Sequence, residues 1–247
     1  MTRAFEAVLF DLDDTLLDWS GARVDWHEEY ARLLEPVHAL FGATGLRAPE
    51  LATFTHAVRE GAMAEWRRAK IDHRAPLFEN AFRHALTGLG YAEDALDQER
   101  AVRAFGERWR LVPGVVPFPD ALDVLDELLA RGYRLGLVTN SMQPMWMRDR
   151  ELAGTGLIER LAYRVAAADV GYIKPHRVIF EQAAAALDVT VERTVFVGDR
   201  PANDIAGANA VGMTSVLMSP AHLQRDPEGH EPDHEIAMLS ELLALLD

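Results

Sequence analysis

The 247-residue chain has no cysteine, which excludes a disulfide scaffold and any thiolate metal site. It has no run of about 18 apolar residues, the length a membrane-spanning helix needs. Its first ten residues carry one arginine and a short apolar run that passes straight into acidic residues, unlike a signal peptide. A cytoplasmic protein is expected. Positive charge is also scarce: 39 Asp and Glu face 25 Lys and Arg, a formal net charge of -14. Such a chain repels nucleic-acid phosphates and anionic membranes. The densest basic cluster, Arg67, Arg68 and Lys70, is too short to reverse this and reads as a solvated helix face. Neither nucleic acid nor a membrane is an expected partner, and an anionic substrate would need a local positive site.

What is present points to an enzyme-sized core. The hydrophobic fraction is 49% and the charged fraction 26%, ordinary for a globular protein with a sizeable interior. Ala7-Val8-Leu9-Phe10 has the pattern of a buried strand. Four helical faces follow: Trp26, Tyr30, Leu33, Val37, Leu40 and Phe41, with Pro36 as an expected kink; Leu51, Phe54, Val58 and Trp66; Phe78, Phe82, Leu86 and Leu89, closed by Gly90; and a weaker set at Leu96, Phe105 and Trp109. No strand pattern occurs between Trp19 and Trp109. From Pro113-Gly114 onward, strands at 134–138, 163–166, 194–197 and 214–218 alternate with helices at 122–129, 144–152, 178–187 and 203–210. A polar stretch at 219–234 reads as a surface loop, and 239–246 as a closing helix. Alternation of this kind implies an α/β fold with a Rossmann-like, doubly wound parallel sheet. The expected organisation is a core of residues 1–17 and 110–247, with an α-helical cap, 18–109, inserted after the first strand.

In an open parallel sheet, ligands bind beyond the carboxyl ends of the strands. The polar residues standing there are Asp11, Asp13, Asp14 and Thr15 after the first strand, Thr139 and Asn140 after the second, and Gly198, Asp199, Asn203 and Asp204 after the fourth. Lys174-Pro175 precedes the helix before that strand. Any one of these would be an ordinary cap or turn residue. Together, several carboxylates at one edge raise one another's pKa unless a cation sits among them, and an all-oxygen set suits Mg²⁺. A lysine and a threonine beside it can hold phosphate oxygens.

These residues carry a family resemblance. Asp11-Leu12-Asp13-Asp14-Thr15 resembles the first signature of the haloacid dehalogenase (HAD) superfamily, Asp-x-Asp-x-Thr. Thr139-Asn140 resembles the second motif, Lys174-Pro175 the third, and Gly198-Asp199-Arg200-Pro201-Ala202-Asn203-Asp204 the fourth, in the family's order. The position of the helical insertion is similar to that of subfamily I, in its phosphatase-like branch, where the cap closes over the site. The resemblance implies a phosphatase acting on a small phosphorylated metabolite, as a monomer or homodimer. Asp11 would be the nucleophile and Asp13 the general acid and base. Thr139, Lys174 and the Asn140 backbone amide would bind the phosphoryl oxygens. Mg²⁺ would be held by the Asp11 and Asp199 carboxylates and the Asp13 carbonyl, with Asp204 orienting its waters or Lys174. Dehalogenases of the family carry a non-acidic residue at the position of Asp13, so its presence implies ester chemistry. A phosphosugar mutase, or an inactive relative that serves as a binding protein, would share these residues. Trp19 and Trp26 are expected in the cap interior, His27, His222, His230 and His234 at the surface, and Met142, Met145, Trp146 and Met147 in packing.

Overall fold

The computed structural model describes residues 4–223, 225 and 229–246. Ala7–Phe10 (β1) leads into a two-residue strand, Leu17–Asp18 (β2), and then four helices: Trp26–Ala39 (α1), Leu51–Asp72 (α2), Phe78–Gly88 (α3) and Gln98–Gly106 (α4). A second two-residue strand, Val116–Pro117 (β3), pairs antiparallel with β2. The remainder alternates: Ala121–Ala130 (α5), Arg134–Thr139 (β4), Met145–Leu152 (α6), Tyr163–Ala166 (β5), Ala167–Val170 (α7), Arg177–Ala186 (α8), Thr194–Gly198 (β6), Ala206–Val211 (α9), Thr214–Met218 (β7), His234–Ile236 (β8) and Leu242–Leu245 (α10).

The described residues form a six-stranded sheet in the order β5-β4-β1-β6-β7-β8, with every pairing parallel. β1 lies in the middle because all four of its residues are apolar and buried, as a strand covered on both faces requires. Leu9 and Phe196 join α8 on one face of the sheet; Val8, Phe10, Leu135 and Leu137 join α5 on the other. Gly136 in β4 has a steric reason: a Cβ there would stand 2.7 Å from Leu9 Cδ2.

The helices between β2 and β3 make a hydrophobic cluster of their own around Phe41, Phe54, Phe78, Phe82 and Phe105. Asp25 caps α1 by accepting from the backbone N–H groups of His27 and Glu28. α2 and α3 approach closely at Gly61, where a Cβ would lie 2.6 Å from the Ala81 carbonyl oxygen. Met142 and Met147, from the segment after β4, are buried in this same cluster, and Gly106 abuts Trp146 and Met147. The cluster therefore rests on the core through α6.

Several sequence expectations shift in detail. Leu96 and Trp109 flank α4 and are buried beside it rather than lying within it. Helix 203–210 divides into a π turn, Pro201–Ile205, and α9. The closing helix divides into a 3-10 turn, Leu239–Glu241, and α10. His234 begins β8 rather than ending a loop, and part of the 219–234 stretch lies outside the described residues. β2, β3 and β8 were not foreseen: two or three residues are too few to show a period of two.

Phe105 is fully buried and meets Tyr30, Phe78, Phe82 and Trp109 with ring centroids 4.6 to 6.1 Å away. Phe105→Ala is expected to cost about 3–5 kcal/mol, read as a lower denaturation midpoint in urea.

Candidate active site

Three adjacent strands deliver the acidic and hydroxyl groups to one edge. Asp11 follows β1, and its backbone N–H donates to the Val197 carbonyl of β6 at 2.9 Å. Thr139 is the last residue of β4, so that strand runs one residue further than expected. Asp199 follows Gly198, the last residue of β6. Asp11, Thr139, Lys174, Asp199 and Asp204 are all buried.

At the centre lies Lys174, only 1% exposed. Its ammonium donates to the Val138 carbonyl at 2.9 Å and forms ion pairs with Asp11 Oδ1 at 2.8 Å and Asp204 Oδ1 at 2.7 Å. Its backbone is gripped by Asn140, whose Oδ1 accepts from Lys174 N at 2.7 Å and whose Nδ2 donates to Lys174 O at 3.0 Å. The Asn140 side chain thus holds the lysine segment in place. Asp204 is fixed from behind by the Arg200 backbone N–H, 2.9 Å from Oδ2. It packs so closely on Gly198 that a Cβ there would lie 2.5 Å from the Asp204 carboxylate.

Burial governs the protonation of this cluster. It is the largest cause pushing the Asp11 carboxyl up to about 8; Lys174 opposes it, and the charges of Asp204 and Asp199 add to it. Asp199 rises to about 6, again chiefly by burial and then by Asp204, against the pull of Arg225 and Arg200. Burial alone would depress Lys174, but Asp11 and Asp204 outweigh it and hold the ammonium above its ordinary value.

Carboxylate oxygens of Asp11, Asp199 and Asp204 lie within 4.8 Å of one another, and Asp199 Oδ1 is buried with no hydrogen-bond partner. A small hard cation fits this donor set. The grouping brings in Asp204, while the Asp13 carboxylate is directed elsewhere, so only the Asp13 carbonyl remains to serve as the third expected ligand. The other Asp199 oxygen, Oδ2, meets Arg225 at 2.6 Å, and Arg225 also reaches Asp14 at 3.3 Å.

The Asp13 carboxylate is gripped by Arg148, 2.7 and 2.8 Å from its two oxygens, and by the Trp19 indole N–H at 2.8 Å. Arg148 is 3% exposed and pairs in turn with buried Glu151 at 2.8 Å. Glu151 is raised to about 7, by burial first, while Arg148 pulls it down. Two cavities meet at Asp13 and Asn140. One, of about 380 Å³, is lined by Asp11, Thr139, Lys174 and Asp204, with Trp66, Lys70 and Arg200 among its walls. The other, of about 290 Å³, is lined by Trp19, Trp26, Tyr30, Trp109, Gln143 and Arg148. Trp26 is therefore a cavity wall, 37% exposed, rather than cap interior. Lys70 also departs from expectation: Arg68 is tied to Glu65 and Asp72, whereas Lys70 faces the site.

The family model for haloacid dehalogenase-like hydrolases matches residues 5–212. The chain belongs to that family. It is 30% identical to ribulose-1,5-bisphosphate 5-phosphatase of Halopiger xanaduensis, over 97% of this chain and 98% of that protein. It is 31% identical to phosphoglycolate phosphatase of Rhodospirillum rubrum, over 87% of this chain and 79% of that one. Among solved structures it resembles 2-haloacid dehalogenase from Pseudomonas syringae pv. Tomato DC3000, with a TM-score of 0.65, 27% identity and 98% of each chain covered. No helix among the described residues is long and apolar enough to cross a membrane.

The sequence singled out Asp11, Asp13, Thr139, Asn140, Lys174, Asp199 and Asp204, and the structure brings all seven to one edge. The sequence did not single out Arg148, Glu151 or Arg225. The two α6 residues read as ordinary helix charges, and Arg225 falls in a stretch taken for a surface loop.

The raised carboxyls have a consequence for stability. In the folded chain without metal, Asp11 and Asp199 keep their protons well above the ordinary carboxylate value of 3.8. Their favourable contribution is complete below that value and is lost as pH rises through about 6 and then about 8. Asp11→Asn removes the Asp11 share. With EDTA present, the variant should gain unfolding free energy relative to wild type between pH 5 and pH 8; parallel profiles in urea titrations would contradict this.

Proposed function

We propose that the protein is a Mg²⁺-dependent phosphatase that hydrolyses a small phosphomonoester through a phosphorylated Asp11. The observation that carries this reading is the pairing of a buried carboxylate, Asp11, fixed by Lys174, with a second carboxylate, Asp13, on the wall of the same cavity. The first suits nucleophilic attack on phosphorus and the second suits proton delivery to an ester oxygen. A carbon–halogen bond has no leaving oxygen to protonate. Asp13 therefore favours ester hydrolysis despite the likeness to a solved dehalogenase, and the two phosphatase relatives support the same class.

Lys174 holds Asp11 Oδ1, leaving Oδ2 to attack. Asp11 forms a bond to phosphorus while the bond from phosphorus to the leaving oxygen breaks, and Asp13 supplies the proton that oxygen takes. Asp13 then removes a proton from water, which attacks the phosphoryl group and releases phosphate and free Asp11. Thr139 and Lys174 bear on the phosphoryl oxygens throughout. Arg148 and Trp19 hold Asp13 in its place. Asp11, Asp199 and the Asp13 carbonyl would hold Mg²⁺, with Asp204 steadying Lys174; bound there, the ion offsets repulsion between an anionic nucleophile and an anionic ester.

Phosphate release from a panel of small esters tests this. Release should require Mg²⁺, stop with EDTA and vanish in Asp11→Asn. Asp13→Asn should slow alkyl esters by about 10²–10⁴ and an aryl ester with a good leaving group far less. No release from any ester by well-folded protein would overturn the proposal.

A further inference from the structure

We infer that Lys70 and Arg200 form a second anion-binding subsite, and that the substrate carries a second anionic group, a phosphate or carboxylate, on its leaving portion. The inference rests on the cavity being a phosphate-ester site. Of the 25 basic residues only two are lysines, Lys70 and Lys174. Both line the same cavity. Lys174 is already engaged at its floor by Asp11 and Asp204. Lys70 stands on the last turn of α2, one helical turn beyond Trp66, and both side chains line that wall.

Several arginines are spent on carboxylates, such as Arg32 on Glu29, Arg68 on Glu65 and Asp72, Arg148 on Asp13 and Arg164 on Asp149; others, such as Arg67 on the same helix, pair with none among the described residues, so it is the place of Lys70 on the cavity wall that sets it apart. Lys70 makes no hydrogen bond or ion pair among the described residues, although the chain carries a formal charge of -14. The Arg200 side chain also has no hydrogen bond or ion pair there, although it lies near enough to Asp14 and Asp199 to pull their pKa values down. One cation comes from the helical cluster and the other from the β6 edge. Their walls face one cavity of about 380 Å³, which also holds the proposed nucleophile. An ammonium serves as a compact point charge for an anion, and a guanidinium as a planar fork. Trp66 and Ile173 between them offer an apolar wall for the carbon chain linking two anionic ends.

Two measurements decide it. The first compares a sugar bisphosphate with the matching monophosphate, for wild type and Lys70→Gln. The variant should raise KM for the bisphosphate about tenfold or more, the loss expected for one charged hydrogen bond. Its kcat, and its KM for the monophosphate, should stay within about twofold. Arg200→Gln should act in the same direction. Equal effects on both esters, or none, would overturn the subsite. The second measurement needs no turnover. Lys70 is the exposed lysine and Lys174 is buried, so trinitrobenzenesulfonate labelling, read by peptide mass, reports on Lys70. The bisphosphate should slow its modification while the monophosphate does not. If no ester is hydrolysed but protection is seen, the phosphatase reading fails and the subsite stands. Equal labelling rates would sink the subsite alone.

Discussion

A lysine ammonium buried to 1% exposure survives only if it is hydrogen-bonded and its charge is matched at close range. Lys174 meets both conditions with Asp11, Asp204 and the Val138 carbonyl. Removing the lysine would leave Asp11 and Asp204 buried without their shared cation, which costs several kcal/mol. Much of the surrounding structure follows from keeping those partners in register. β1 must lie between β4 and β6 so that Asp11 reaches the ammonium. Gly198 must lack a Cβ so that Asp204 can sit against it. Asn140 must bind the lysine backbone so that the side chain enters from the far side of the edge.

The same cluster is electrostatically incomplete. Lys174 supplies one positive charge among Asp11, Asp199 and Asp204, and the residual repulsion and burial appear as raised carboxyl pKa values. Arg225 compensates Asp199 at one oxygen and leaves the other without a partner. A divalent cation would remove that imbalance, so the acidic edge is better understood as a binding site than as structural packing. Asp13 is treated differently. Its partners, Arg148 and Trp19, belong to the seam between the core and the helical cluster, where Met142, Met147 and Gly106 interlock. The orientation of the Asp13 carboxylate is thus set by the packing of that seam.

Asp11, Thr139 and Asp199 were legible because each ends or follows an apolar run whose burial places it at a strand's carboxyl end. Ala7–Phe10 announces Asp11, and Thr194–Val197 announces Asp199. The alternation after Pro113 made the parallel sheet readable for the same reason. What could not be read depended on distant pairings. Arg148 and Asp13 are 135 positions apart, and no local pattern distinguishes a buried arginine from a solvated one. Asn140 was singled out for its backbone amide and not for its side chain, whose contact with Lys174 spans 34 positions. β2 and β3 exist only because Leu17 and Pro117 are brought side by side.

The proposed mechanism requires that Asp11 become covalently phosphorylated. It is tested most directly by quenching a single turnover in acid, reducing the protein with borohydride and locating the product by peptide mass spectrometry. An acyl phosphate is reduced to an alcohol, whereas a free carboxylate is not, so the account predicts homoserine in place of Asp11 only when ester and Mg²⁺ were both present. Reduction at another carboxylate, or none during demonstrable turnover, would contradict it.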